Sequence, residues 1–137
     1  MFSSIMVPVD LAHADSLEKA LKAAADLSNF YHASVCIVGV TASAPSAVAH
    51  NTEEYAEKLD AFAAAQGEKH GVTYKAKAMV TADPAVDLGK TLETAAEDLN
   101  ADLIVMASHV PGFADHIIAS NAGHMAAHAK SSVLVVR

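Results

Sequence analysis

The sequence contains no tryptophan, a single cysteine (Cys36) and only 5% aromatic residues. One cysteine excludes an internal disulfide and suits a reducing compartment. With so few rings, a core has to be built from aliphatic side chains and alanine. Clustered positive charge is missing too: there is no Lys/Arg run, and the formal net charge is −7. That balance argues against nucleic acid and anionic membrane as partners, because nothing is arranged to neutralise phosphates. No apolar run reaches the roughly 18–20 residues of a membrane span. The longest charge-free stretch, from Ala33 to His50, is diluted by Ser, Thr, Pro and Gly. The first residues carry no basic region and soon meet Asp10, unlike a signal peptide. The expectation is a soluble, cytoplasmic protein.

What is present is a hydrophobic content of 53% in 137 residues, enough for one packed domain over residues 1–137 and too much for disorder. Ser4-Ile-Met-Val-Pro-Val9 reads as a buried strand, with Pro8 expected to mark its end. From Asp15 a helical period sets in, with Leu17, Ala20, Leu21, Ala24 and Leu27 on one face. Ala33-Ser-Val-Cys-Ile-Val-Gly-Val40 is a second buried strand, and residues 41–50 form a loop expected to be mobile. Asn51 or Thr52 can cap the next helix, with Tyr55, Leu59, Phe62 and Ala63 inside. Gly71 ends it, and residues 72–81 suit an outer strand. Asp83-Pro84 starts a third helix with stripe Leu88, Leu92, Ala95 and Leu99, and Asn100 is its expected C-cap. Strand 102–106, a Pro/Gly-containing loop, a helix over roughly 117–129 and strand Val133-Leu-Val-Val136 complete the chain.

Strands alternating with amphipathic helices predict an α/β domain with a doubly wound parallel sheet, helices on both faces. Right-handed crossovers and one reversal give the order 3-2-1-4-5. The reversal leaves a crevice between strands 1 and 4, where open sheets of this kind take ligands. Two loops meet there, one beginning at Asp10 and one after Met106. A strand, a small-residue loop and a helix start can surround an anion with backbone N–H groups.

The residues at those loops resemble the universal stress protein family. The likeness covers the whole chain: Ile5-Met-Val-Pro-Val-Asp10, Asp83-Pro84, Ala101-Asp-Leu-Ile-Val-Met-Ala-Ser-His109, Ser120-Asn121, His128-Ala129 and Ser132-Val-Leu-Val-Val-Arg137. It implies a 3-2-1-4-5 sheet of Rossmann-like type, a homodimer, a role in the stress response and, in one branch, ATP binding. That branch carries a loop of three glycines closed by Ser or Thr. Here Ala107, Val110 and Ala119 stand at the glycine positions, and only Ser120 remains. The subgroup with an A-S-H-x-P loop fits better, through Ala107-Ser-His109, Pro111, Ser120 and Asn121.

Carried over residue by residue, the resemblance places Pro8, Val9 and Asp10 beside the adenosine, with Asp10 accepting from ribose hydroxyls or helping to hold Mg²⁺. Val40 would line the base pocket through its backbone, Met106 and Ala107 would flank base or ribose, and His109, Ser120 and Asn121 would meet the phosphates. The implied ligand is ATP or another adenosine nucleotide (ADP or AMP). The alternatives are a nucleotide-free interaction module of the same fold, and a slow ATPase or self-phosphorylating protein using Asp10 and His109. A non-catalytic role is favoured, because no further base is evident. Asp10 also has a plain structural reading, as a cap for the first loop, and His109 as a solvated loop residue.

Three further signals have structural readings. His124 and His128 are four apart on a helix, yet the segment lacks a zinc-protease glutamate and reads as a solvated face, with no metal expected. Ser108 and His109 are adjacent at a strand exit and do not form a hydrolase elbow. Cys36 reads as a small buried hydrophobe. Finally, Val133–Val136 is an apolar edge strand, and pairing with the same strand of a second subunit is the expected remedy.

Overall fold

The computed structural model describes residues 1–108 and 121–137. Five parallel strands stand in the order β3-β2-β1-β4-β5, as the crossover rules require. In chain order they are β1 Ser4–Val9, β2 Ser34–Ala42, β3 Tyr74–Thr81, β4 Leu103–Ala107 and β5 Ser132–Val136. The helices are α1 Glu18–Tyr31, α2 Thr52–His70, α3 Pro84–Asp98 and α4 Ala122–His128, with a 3-10 segment Leu11–Leu17 ahead of α1.

The period-two alternation of the central strands sorts side chains into two apolar layers. Ile5, Val7 and Val9 of β1 and Leu103, Val105 and Ala107 of β4 join Leu21, Ala24, Tyr55 and Leu59 of α1 and α2. Met6, Ile104 and Met106 face the other way, onto Leu88, Leu92 and Ala95 of α3 and Met125 of α4. β3 and β5, at the two edges, are only partly buried.

Helix ends follow local chemistry. Asn51 accepts from the Glu54 N–H at 2.8 Å, and Asp83 accepts from the Ala85 N–H at 3.1 Å with Pro84 in the first turn, each satisfying a donor that the helix leaves over. The Glu54 carboxylate takes the backbone N–H and the ring of His50. These bonds, followed by Lys58, pull its pKa down to about 2. Gly71 ends α2 at φ +69°, a left-handed conformation in which a Cβ would be strained.

Several expected boundaries move. Pro8 does not end β1, for Val9 follows it in the strand. Pairing with β4 stops at Met6, opposite Ile104, while pairing with β2 runs through Val9. The ladder that continues past Pro8 is thus the one to β2 only. A 3-10 segment begins at Leu11, four residues before the expected helical start, because Asp10 caps it. β2 runs two residues past Val40, since Thr41 and Ala42 pair with Val80 and Thr81. The following loop is tied by the Ser46 hydroxyl, which accepts from the N–H groups of Val48 (3.2 Å) and Ala49 (3.3 Å). Leu99, not Asn100, is the C-cap of α3, and Asn100 takes the left-handed position beyond it at φ 48°. Of the expected last helix, residues 117–120 lie outside the described residues.

Candidate functional site

The expected crevice corresponds to the place where β1 and β4, neighbours at Ile5–Leu103 and Met6–Ile104, stop pairing while each strand continues. No β1–β4 pair forms past Met6. This is the topological switch point of the sheet.

On the β1 side stands Asp10, its side chain about 25% exposed. One carboxylate oxygen accepts from the Ala12 N–H at 3.0 Å, and the other lies 2.9 Å from His13 Nδ1. The His13 N–H also bonds the Asp10 carbonyl at 3.0 Å. The capping role is therefore realised. A carboxylate offers about four acceptor sites, so two partners leave capacity for a ligand hydroxyl. Pro8 and Val9 are buried behind it, and Val9 belongs to the α1/α2 layer. They can border a ligand with backbone, not with side chains.

On the β2 side Val40 is partly buried and pairs with Met79. The preceding Gly39 has a specific cause. A Cβ there would overlap the Tyr55 hydroxyl and stand 3.0 Å from Tyr55 Cζ and 3.1 Å from Leu59 Cδ1. The phenol thus lies directly on the β2 backbone, one residue before Val40. Burial first, and then the Asp10 carboxylate, push the Tyr55 pKa far above the ordinary phenol range, so its hydroxyl stays a neutral donor. Sequence reading assigned Tyr55 to the helix stripe only. The signal for more was Gly39 itself, since a glycine inside a strand marks a close approach.

On the β4 side Met106 is fully buried in the α3/α4 layer and Ala107 is buried in the α1/α2 layer. The Ser108 N–H donates to the Val136 carbonyl at 2.7 Å, extending the β4–β5 ladder by one residue. Asn121 leads into α4, its carbonyl accepting from the Met125 N–H at 2.9 Å. Its side-chain oxygen comes within 3.3 Å of where a Gly89 Cβ would sit, against α3. His109 and Ser120, with Val110, Pro111 and Ala119, lie outside the described residues.

The structure brings Asp10 and Val40 to the same end of adjacent strands, with Tyr55 of the α1/α2 layer beside them. A groove of about 530 Å³ opens next to Asp10, lined by Leu11, Ala12, Ala47, Val48, Lys58 and Phe62 among others. Lys58 in that groove is bonded to the Val48 carbonyl and lies 3.2 Å from Glu54. Cys36 is buried in the α3/α4 layer, and burial raises its thiol pKa, which makes it a hydrophobe and not a nucleophile. Among the described residues no three His, Cys, Asp or Glu side chains are placed to hold a metal ion, and no helix is long and apolar enough to cross a membrane.

The sequence matches the model of the Universal stress protein family over residues 1–137. No curated protein matches it. Among solved structures, a universal stress protein family member from Burkholderia pseudomallei is 25% identical with a TM-score of 0.70, covering 98% of this chain and 95% of that one. The Archaeoglobus fulgidus universal stress protein in complex with dAMP is 21% identical with a TM-score of 0.67, at 98% coverage of both chains. An Arabidopsis thaliana universal stress protein family protein with AMP bound is 14% identical with a TM-score of 0.63, covering 98% of this chain and 90% of that one.

Proposed function

The chain belongs to the universal stress protein family over its whole length, and from that membership we propose that it is a stress-responsive regulatory protein that binds an adenosine nucleotide in the crevice between β1 and β4. The observation that carries the reading is the parting of β1 from β4 beyond Met6 with Asp10 at its mouth. The similar structures from Archaeoglobus fulgidus and Arabidopsis thaliana, which hold dAMP and AMP, point the same way. Asp10 accepts from the ribose hydroxyls through its remaining lone pairs. The backbones of Val9, Val40 and Ala107 border the base and ribose. Ser120 and Asn121, with His109, meet the phosphates, and Mg²⁺ accompanies a di- or triphosphate.

Isothermal titration with AMP, ADP and ATP, each with and without Mg²⁺, tests this. One nucleotide per chain is expected. Asp10→Asn keeps the size of the residue but weakens the acceptor, and a loss of about tenfold in affinity corresponds to one charge-assisted hydrogen bond. No heat from any nucleotide up to millimolar concentration sinks the proposal. It also leaves the second reading, a nucleotide-free interaction module, which buried Ala107 at a glycine position of the ATP-binding branch favours.

The protein acts as a homodimer through β5. In the sheet order β5 is an edge, and Leu134 and Val135 are each 38% exposed. An apolar edge strand exposes unsatisfied backbone as well as side chains, and a twofold copy of the same strand covers both. Val135→Lys is expected to shift the sedimentation coefficient from dimer to monomer; an unchanged dimer rules out this interface.

A further inference from the structure

Next to Asn121, on the far side from Asp10, α3 and α4 bring together four side chains to which the proposed nucleotide site assigns no role. His124 and His128 sit one turn apart on α4, with ring centroids 4.5 Å apart and planes tilted by 40°. Glu93 and Glu97 sit one turn apart on α3. Glu93 Oε1 is 2.8 Å from His124 Nε2, and Glu97 Oε1 accepts from Lys130 at 2.8 Å. A cavity of about 290 Å³ opens here, and Glu93, Glu97, His128 and Lys130 are part of its wall.

The position of His124 is built into the facing helix. A Cβ at Gly89, in the middle of α3, would stand 2.7 Å from His124 Cδ2 and 2.8 Å from Nε2. A glycine inside a helix is unfavourable relative to alanine. What its missing side chain makes room for here is an imidazole.

We propose that His124 and His128 bind one divalent transition-metal ion of the Zn²⁺, Ni²⁺ and Cu²⁺ class, with Glu93 as the positioning residue for His124. Imidazoles at i and i+4 share a helix face, and imidazole nitrogen selects these ions over Mg²⁺, which requires oxygen. Glu93 accepts the His124 Nε2 proton and so leaves Nδ1 with the lone pair, the carboxylate–histidine–metal arrangement. Two nitrogens, not three protein groups, hold the ion, and water completes its shell. Lys130, the cation lining the cavity, is held by Glu97, and the net charge of −7 favours cation approach. A plain docking contact between α3 and α4 is the competing account of the same geometry.

The test is titration of the full chain with NiCl₂, ZnCl₂ and CuCl₂ in turn, followed by electron paramagnetic resonance of the Cu²⁺-loaded protein. One ion per chain is expected, with two nitrogens in the copper spectrum and affinity falling in acid as protons compete. His128→Ala is expected to weaken binding at least tenfold, and because His128 is exposed the fold should be intact by circular dichroism. Glu93→Gln is expected to weaken it about tenfold. His50→Ala, at an exposed histidine elsewhere on the surface, should leave affinity unchanged. Binding that survives His128→Ala and His124→Ala, a single-nitrogen spectrum, or no saturation up to about 1 mM overturns the proposal in favour of the docking contact.

Discussion

Gly39→Ala is expected to destabilise the protein by about 1–3 kcal/mol, the usual range for overpacking a filled interior. The added methyl overlaps the Tyr55 hydroxyl and crowds Tyr55 Cζ and Leu59 Cδ1. Tyr55 and Leu59 are 4% and 1% exposed, so neither ring nor isobutyl group can swing into solvent. The gain from replacing a flexible glycine in a strand is smaller and does not reverse the sign. Tyr55→Phe removes the overlapping oxygen but leaves the ring carbon at 3.0 Å. The double variant should therefore recover part, not all, of the loss, and urea denaturation of the four proteins gives the coupling directly. Because Val40 follows Gly39 on the same strand, the strain also moves the backbone assigned to the base, and nucleotide affinity should fall with stability. A Gly39→Ala protein as stable as the parent shows instead that Tyr55 yields freely.

Met106→Ala is expected to cost about 2–5 kcal/mol, as for other large-to-small changes at filled core positions. The side chain is fully buried among Met6, Leu88, Leu92, Ile104 and Met125 on the α3/α4 side. Truncation leaves a cavity there, whereas Met106→Leu conserves volume and should cost less than about 1.5 kcal/mol. The informative comparison is with ligand binding. If Met106 serves the crevice only through its backbone, Met106→Leu leaves nucleotide affinity unchanged while Met106→Ala lowers the denaturation midpoint. An affinity loss in Met106→Leu at unchanged stability places the thioether itself on the ligand.

The two positions show different degrees of legibility. Met106 was recognisable as part of an apolar strand at the switch point, expected as its last residue although β4 runs on through Ala107, but not which way its side chain faced. That depends on the register of β4 against β1, a non-local pairing. Tyr55 was recognisable as core from its spacing with Leu59 and Ala63, yet nothing local says that its hydroxyl meets Gly39, sixteen residues earlier, or lies near Asp10. For Asp10 both the capping and the ligand reading were available, and the fold realises the first without using up the carboxylate. For His124 the spacing to His128 suggested a solvated face, and both residues are exposed, but only the packing of α4 on α3 revealed Gly89 and Glu93 beside it.

By itself the sequence determined the elements and their order in the sheet. Apolar period, caps at Asn51 and Asp83, and the stop at Gly71 are short-range effects, and crossover handedness follows from chain chirality. Hence the 3-2-1-4-5 sheet and its switch point between strands 1 and 4 could be read from the sequence alone. Tertiary structure alone decided where β1 and β4 part, which face each buried residue serves, and which side chains from distant segments touch. Those outcomes depend on contacts between residues far apart in the chain, whose distances and orientations no local pattern encodes.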